Sequence, residues 1–356
     1  MFVQNGEMSL KALNFYHSRT SVSYNFLYYF CGLYSLYDLY FIPVDKPCII
    51  IAGGYNIKPG GGEQALNSVE VISGFQRVNM ELPKLPKEIT KSKIFTECLM
   101  FIHDGALMVC GGKNYIGKEP WKCYQFNNGT WREHSTLKRN RSSSLNATTV
   151  KGTFIFGGDE SKKSYEYLPI GSKKWKIGKL RQSRDGFCYG IAIQVKSKEE
   201  IWLFEDDIIF SFDINSHAIQ ELPFKLIKGR EYHAGAFIPG TCKILVTGGI
   251  SGEETQNTCE IIDTENATVT MASPMNSKRS SHGMGIIKVN GEERLAVFGG
   301  LDDGTDSDHR SVELYNTKTQ KWELAENFAM NISRYDFGYV NNWRNHLVRV
   351  SNLLSQ

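Results

Sequence analysis

The sequence has no CxxC pair among its eight cysteines, no Gly-x4-Gly-Lys-Ser/Thr loop, no Gly-x-Ser-x-Gly elbow and no clustered histidine-carboxylate motif. The first absence argues against a zinc site, because thiolate ligands usually come in close pairs. The others remove the common local signatures of nucleotide binding, serine hydrolysis and metal-assisted hydrolysis. Excess charge is also scarce. Forty-one Lys and Arg against 38 Asp and Glu leave +3 over 356 residues, with no large basic run, so no dominant electrostatic pull toward nucleic acid or a membrane surface is indicated. Sustained apolar periodicity of 3.6 residues is missing, which argues against a helical fold.

A long apolar run is missing too. The Tyr-rich stretch from Tyr24 to Tyr40 is uncharged until Asp38, but its tyrosines and Asn25 make it poorer than the roughly twenty apolar residues of a membrane span. A span and a signal sequence stay open beside the strand reading. The cysteines and Asn-x-Ser/Thr sequons such as those at Asn128, Asn146, Asn266 and Asn331 leave the compartment open between cytoplasmic and secreted. Cys98 and Cys110 flank a hairpin turn predicted at His103-Asp104-Gly105 and form a candidate disulfide, while Cys110 suits a buried apolar position equally well.

What is abundant is glycine in doublets. Five short apolar runs end in Gly-Gly, at Gly53-Gly54, Gly111-Gly112, Gly157-Gly158, Gly248-Gly249 and Gly299-Gly300. The first glycines are 58, 46, 91 and 51 residues apart, and Glu205-Asp206 falls where the gap of 91 should hold a sixth doublet. Six units of about fifty residues result. After most doublets comes an alternating strand, as in Ser68-Val-Glu-Val-Ile, Trp121-Lys-Cys-Tyr-Gln-Phe, Ser164-Tyr-Glu-Tyr, Thr258-Cys-Glu-Ile-Ile and Ser311-Val-Glu-Leu-Tyr. Three units add a tryptophan farther on, at Trp131, Trp175 and Trp322.

Gly-Gly, then Val-Glu-x-Tyr, then Trp at this period closely resembles the kelch repeat from about Pro47 to about Val340. The resemblance implies an all-β propeller of about six four-stranded blades ringing a channel, with Tyr124, Tyr165, Tyr315 and the three tryptophans packed between blades. Residues 47–340 form the propeller in this reading, 1–46 an N-terminal segment and 341–356 a closing segment or tail. Residues near 34 to 42 could supply strand 1 of the first blade. Arg334-Tyr-Asp-Phe-Gly-Tyr-Val also opens like a strand 1, so the last strand joins the first blade to give six, or both termini assemble a composite seventh. Joining the termini removes an open sheet edge.

The loops between strands 2 and 3 share a face with the connections between blades. They carry Lys58, Lys113, Lys118, Lys162 and Lys163 early in the chain, and Glu253, Glu254, Asp302, Asp303, Asp306 and Asp308 late. The segment from Asp302 to Asp308 lacks the spacing of a calcium loop and its distal glutamate, so a solvated acidic loop is the first expectation. On the same side a cation precedes strand 1 in each unit, at Lys93, Arg141, Arg184, Arg230, Arg279 and Arg334. Such a ring could hold carboxylates or phosphates of a partner. Alternatively, each arginine ties its loop to a local carboxylate or carbonyl.

The expected function is a non-catalytic module binding a protein or peptide, with an acidic peptide as the candidate for the arginine ring, without cofactor or metal. Chains resembling this one include propellers joined to a BTB domain that present substrates to a ubiquitin ligase, and others that bind actin or work as secreted or membrane-bound interaction modules. The 46 N-terminal residues leave no room for a BTB pattern of about a hundred residues, so adaptor activity would need a link from a separate chain. Copper-oxidase propellers are the enzymatic alternative. They need a histidine-tyrosine site, whereas His233 and His282 each follow an arginine by three residues, as repeat positions do.

Overall fold

A computed structural model of the chain describes residues 48–73, 80–85, 96–112, 121–127, 129–181, 186–195, 199–305 and 307–342. These residues form six antiparallel four-stranded sheets arranged as a β-propeller. Blades two to six take their four strands in chain order. Blade three, for example, runs Leu145–Thr149, Gly152–Phe156, Ser164–Pro169 and Lys176–Lys179.

Blade one closes the ring. Its innermost strand is Gly338–Asn342, which pairs with Cys48–Ala52, and Val69–Ser73 and Met80–Leu82 complete the sheet. Both edges of Cys48–Ala52 are therefore occupied, and the place considered for residues near 34 to 42 is taken by the C-terminal strand. Residues 1–47 and 343–356 lie outside the described residues.

Strand 2 is fully buried in blades one and three, where neighbouring sheets cover both its faces. Every side chain of Cys48–Ala52 and of Gly152–Phe156 is buried, and each reads as a short, largely apolar run rather than an alternation. The apolar clusters run from blade to blade. One joins Phe154, Phe156 and Tyr165 of blade three to Phe210 and Phe212 of blade four, with the Phe156 and Phe212 ring centroids 5.0 Å apart at 75°.

The tryptophans fasten the outer edges of consecutive blades. Trp131 Nε1–H donates to Pro83 O at 2.9 Å, Trp175 Nε1–H to Ser135 Oγ at 3.1 Å and Trp322 Nε1–H to Ser273 O at 3.1 Å, each reaching the preceding blade. Burial of the ring and satisfaction of its N–H are thus achieved together.

The doublets turn the chain out of strand 2, and all ten glycines have positive φ. Gly157 shows a second reason for glycine. A Cβ there would lie 1.8 Å from Phe187 O, in the connection leading to the next blade, where no adjustment of a flexible side chain could make room.

Candidate functional site at the channel mouth

Four of the cations expected at the channel mouth are described, and all four are inside the protein. Arg141, Arg230, Arg279 and Arg334 are at most 1 % exposed. Arg279 makes the pattern plain. Its Nη1 donates to Gly299 O at 2.8 Å and to Ser311 O at 3.2 Å, and its Nη2 donates to Glu313 Oε1 at 3.1 Å. Glu313 in turn accepts the backbone N–H groups of Asn276, at 2.7 Å, and Ser277, at 3.2 Å. The arginine thus holds strands 2 and 3 of its own blade, while the glutamate holds the connection from the previous one.

The same clamp recurs as Arg141 with Glu166, Arg230 with Glu260 and Arg334 with Glu70. In each, the guanidinium also donates to the carbonyl of the first doublet glycine, Gly157, Gly248 or Gly53. Lys93 and Arg184 lie outside the described residues. In their blades the register puts Tyr124 and Phe210 where the other four carry glutamate.

In blade two the neighbouring register position carries a disulfide. Cys110 of strand 2 is bonded to Cys123, directly opposite on strand 3. The predicted hairpin through Asp104-Gly105 is present, but it places Cys98 opposite Gly111, so Cys110 does not pair with Cys98. Cys98 is buried, and that burial pushes its thiol up to about 12.

The acidic loop of blade six is a short ribbon of Leu301–Asp302 with Ser307–Asp308. Asp308 Oδ2 accepts hydrogen bonds from Asn56 Nδ2 and Ile57 N, at 3.0 and 2.9 Å, and Asp303 Oδ2 accepts one from Thr255 Oγ1 at 2.9 Å. Those two carboxylates link blade six to blades one and five. Among the described residues no group of three or more His, Cys, Asp or Glu could hold a metal ion. Nor is any described helix long and apolar enough to cross a membrane.

What lines the mouth is the residue that enters each strand 1. Glu97, Ser143, Tyr189, Tyr232, Ser281 and Asp336, one from each blade, all have left-handed backbone with φ between 50° and 59°. Backbone hydrogen bonds pass around them. Glu97 N donates to Asp336 O at 2.7 Å, Asp336 N to Ser281 O at 3.3 Å, Ser281 N to Tyr232 O at 2.9 Å, Tyr232 N to Tyr189 O at 2.6 Å and Tyr189 N to Ser143 O at 3.0 Å. Six non-glycine residues in this conformation represent strain that the closed ring maintains.

In ring order the two carboxylates are neighbours and so are the two tyrosines, with a serine at each junction. The tyrosine rings stack with centroids 4.3 Å apart and 28° between planes. Tyr189 Oη donates to Asp159 Oδ1 at 2.6 Å, which fixes that ring. Burial pushes the Tyr232 hydroxyl well above the ordinary tyrosine range, and the facing Asp336 and Glu97 carboxylates add to the effect.

All six side chains are half-buried and line a central cavity of about 600 Å³. Its deeper walls come from inner-strand residues such as Met100, Ala147, Ile193, Ala236 and Ile286. The repeat arginines had been legible in the sequence. The ring residue was one step away, standing two positions after Arg141, Arg230, Arg279 and Arg334, and its place before strand 1 was the signal that could have found it.

His233 and His282 also line this cavity. His233 Nδ1–H donates to Arg230 O at 2.9 Å, and His282 Nε2 lies 2.9 Å from Thr247 Oγ1. Burial, reinforced by the nearby arginines, pushes both imidazoles down, His233 to about 3.

Neither a scan against protein-family models nor a search of curated proteins finds a match to this chain. The architecture shown is a six-bladed β-propeller, a scaffold commonly used for protein interaction.

Proposed function

We propose that the chain is a kelch-type propeller acting as a non-catalytic interaction module, with its partner seated over the channel mouth. The observation that carries this reading is the ring from Glu97 to Asp336. Six side chains of mixed chemistry stand half-buried at the opening of one cavity, on a backbone fixed by hydrogen bonds between blades. Recognition groups on a rigid frame lose little conformational entropy on binding. The kelch assignment is supported by the recurrence of doublet, arginine, glutamate and tryptophan in register, each with the same structural duty.

The non-catalytic reading is supported by His233 and His282, which pack against repeat arginines and are held neutral. An acidic ligand over an arginine ring now rests on Lys93 and Arg184, because the four described arginines are engaged by glutamates and carbonyls. Service as a ubiquitin-ligase adaptor or an actin-binding scaffold fits the same geometry.

The test compares proteins retained by the immobilised chain with those retained by a Ser281→Lys variant whose circular dichroism and melting temperature match the parent. Partners retained by the parent and lost by the variant place binding at the mouth. Identical retention by the two proteins overturns that location.

A further inference from the structure

The turn between strands 3 and 4 of blade five carries Asn266-Ala267-Thr268, and all three residues are exposed. Asp263, the last residue of strand 3, shapes this turn. Its Oδ1 accepts the backbone N–H groups of Glu265 and Asn266 at 3.1 and 3.0 Å, and its Oδ2 accepts Asn266 Nδ2–H at 3.1 Å. The Asn266 amide uses one N–H in the turn and has a second beyond it. Thr268 opens strand 4 directly opposite Asp263. Hairpins between strands 3 and 4 lie on the face away from the channel mouth, so a group attached to Asn266 stands clear of the ring from Glu97 to Asp336.

The other tripeptides of the same pattern are placed differently. Asn146 lies on strand 1 of blade three, lines the central cavity and donates from Nδ2 to Met100 O at 3.4 Å. Asn140 is followed by Arg141 and Ser142, which are at most 1 % exposed. A bulky, strongly hydrated group cannot be housed at either place. Asn331 is exposed, but in the connection that closes blade six onto blade one, where Ser333 Oγ accepts Asn56 Nδ2–H at 3.0 Å. In blade two Asn128-Gly129-Thr130 takes the same place in the repeat as Asn266-Ala267-Thr268. Thr130 is exposed there and opens strand 4, while Asn128 lies outside the described residues.

The Cys110–Cys123 bond is an independent observation that bears on the compartment. Both cysteines are fully buried, and the bond ties strand 2 to strand 3 within the blade. Structural disulfides form and persist where thiols are oxidised, and are rare where glutathione keeps them reduced. The oxidising compartments of the secretory route are also those in which exposed Asn-x-Thr turns receive carbohydrate.

We propose that the chain is a glycoprotein of an oxidising compartment and that Asn266 carries an N-linked oligosaccharide. The donor is an oligosaccharide held on a lipid diphosphate. Asn266 Nδ2 bonds to the anomeric carbon as the bond from that carbon to the diphosphate oxygen breaks. The lipid diphosphate leaves with the electron pair and the amide gives up one proton, so nothing is oxidised or reduced. The remaining N–H stays available to Asp263 Oδ2. The inference does not rest on the partner reading of the mouth, and it puts the carbohydrate on the opposite face.

The test uses the full chain captured from its source tissue, with free thiols blocked by N-ethylmaleimide at lysis. Peptide N-glycosidase in heavy-oxygen water converts a glycosylated asparagine to a labelled aspartate, which peptide mass spectrometry locates. The expected result is label at position 266, together with Cys110 and Cys123 in one cross-linked peptide. In cells of the source organism, Thr268→Ala should abolish the label at 266 and Thr268→Ser should retain it, with circular dichroism verifying that both variants fold.

Asn266 recovered unmodified overturns the proposal, whether carbohydrate is then found at Asn128, at Asn331 or nowhere. If Cys110 and Cys123 are also recovered as blocked thiols, the oxidising compartment falls with it. Label at 266 that survives Thr268→Ala reports chemical deamidation and overturns the glycan as well. None of these results depends on what the mouth binds.

Discussion

Arg279 and Glu313 lie 3.1 Å apart with both side chains fully buried, and between them they join two strands of one blade to the loop arriving from the previous blade. Two desolvated charges are costly unless each is answered, and here both groups are multiply hydrogen-bonded. Glu313→Leu leaves the guanidinium charged, buried and short of its counter-ion. The expected cost is about 3–5 kcal/mol in urea unfolding. The double variant Arg279→Met/Glu313→Leu should recover part of that loss, because it removes the orphaned charge. A single variant as stable as the parent, or a double variant whose loss equals the sum of the singles, would contradict the clamp.

Blade two lacks that glutamate and holds the Cys110–Cys123 bond at the neighbouring register position. The bond closes a loop between residues 13 apart in sequence. A constraint of that length on the unfolded chain is worth about 3 kcal/mol. Treatment with dithiothreitol should therefore lower the urea midpoint of the parent, whereas Cys110→Ala/Cys123→Val should start lower and show no response to the reductant. Equal parent midpoints with and without reductant would show that the bond contributes nothing to stability.

The repeat was legible because the doublets, the Glu-x-Tyr strands and the tryptophans are tied to fixed backbone duties. Gly157 has no room for a Cβ, and Trp175 reaches Ser135 of the preceding blade. The six-bladed closure could also be read from Arg334-Tyr-Asp-Phe-Gly-Tyr-Val, although choosing it over a composite seventh blade required the pairing of Ile50 with Val340. The site was less legible. A cation at a recurring position suggests a ligand ring, but whether it points outward depends on a partner some 25 to 34 residues later in three of the clamps and on the opposite end of the chain in the fourth. The glutamates were visible in the strand motif, yet period-two alternation alone does not assign a buried carboxylate to a particular arginine. The mouth residues share a backbone conformation rather than a residue type, so sequence similarity does not mark them as one set.

His233 gives the protein an acid-sensitive element with a defined direction. Burial beside Arg230 pushes its imidazole down to about 3, against about 6.5 in an unfolded chain. Between those two values the unfolded state binds a proton that the folded state refuses. Stability is therefore fully present above about pH 6.5, falls as the pH drops through the window, and stops falling on this account below about pH 3. From pH 7 to pH 5 the contribution of this one residue is a loss of about 2 kcal/mol. His233→Asn removes the titrating group while retaining a donor for Arg230 O. The variant should begin less stable at pH 7 and lose less on acidification, so urea midpoints measured at pH 7, 6 and 5 should converge on those of the parent. Parallel pH profiles for the two proteins would show that His233 takes up its proton without unfolding, and that the acid response belongs to other groups.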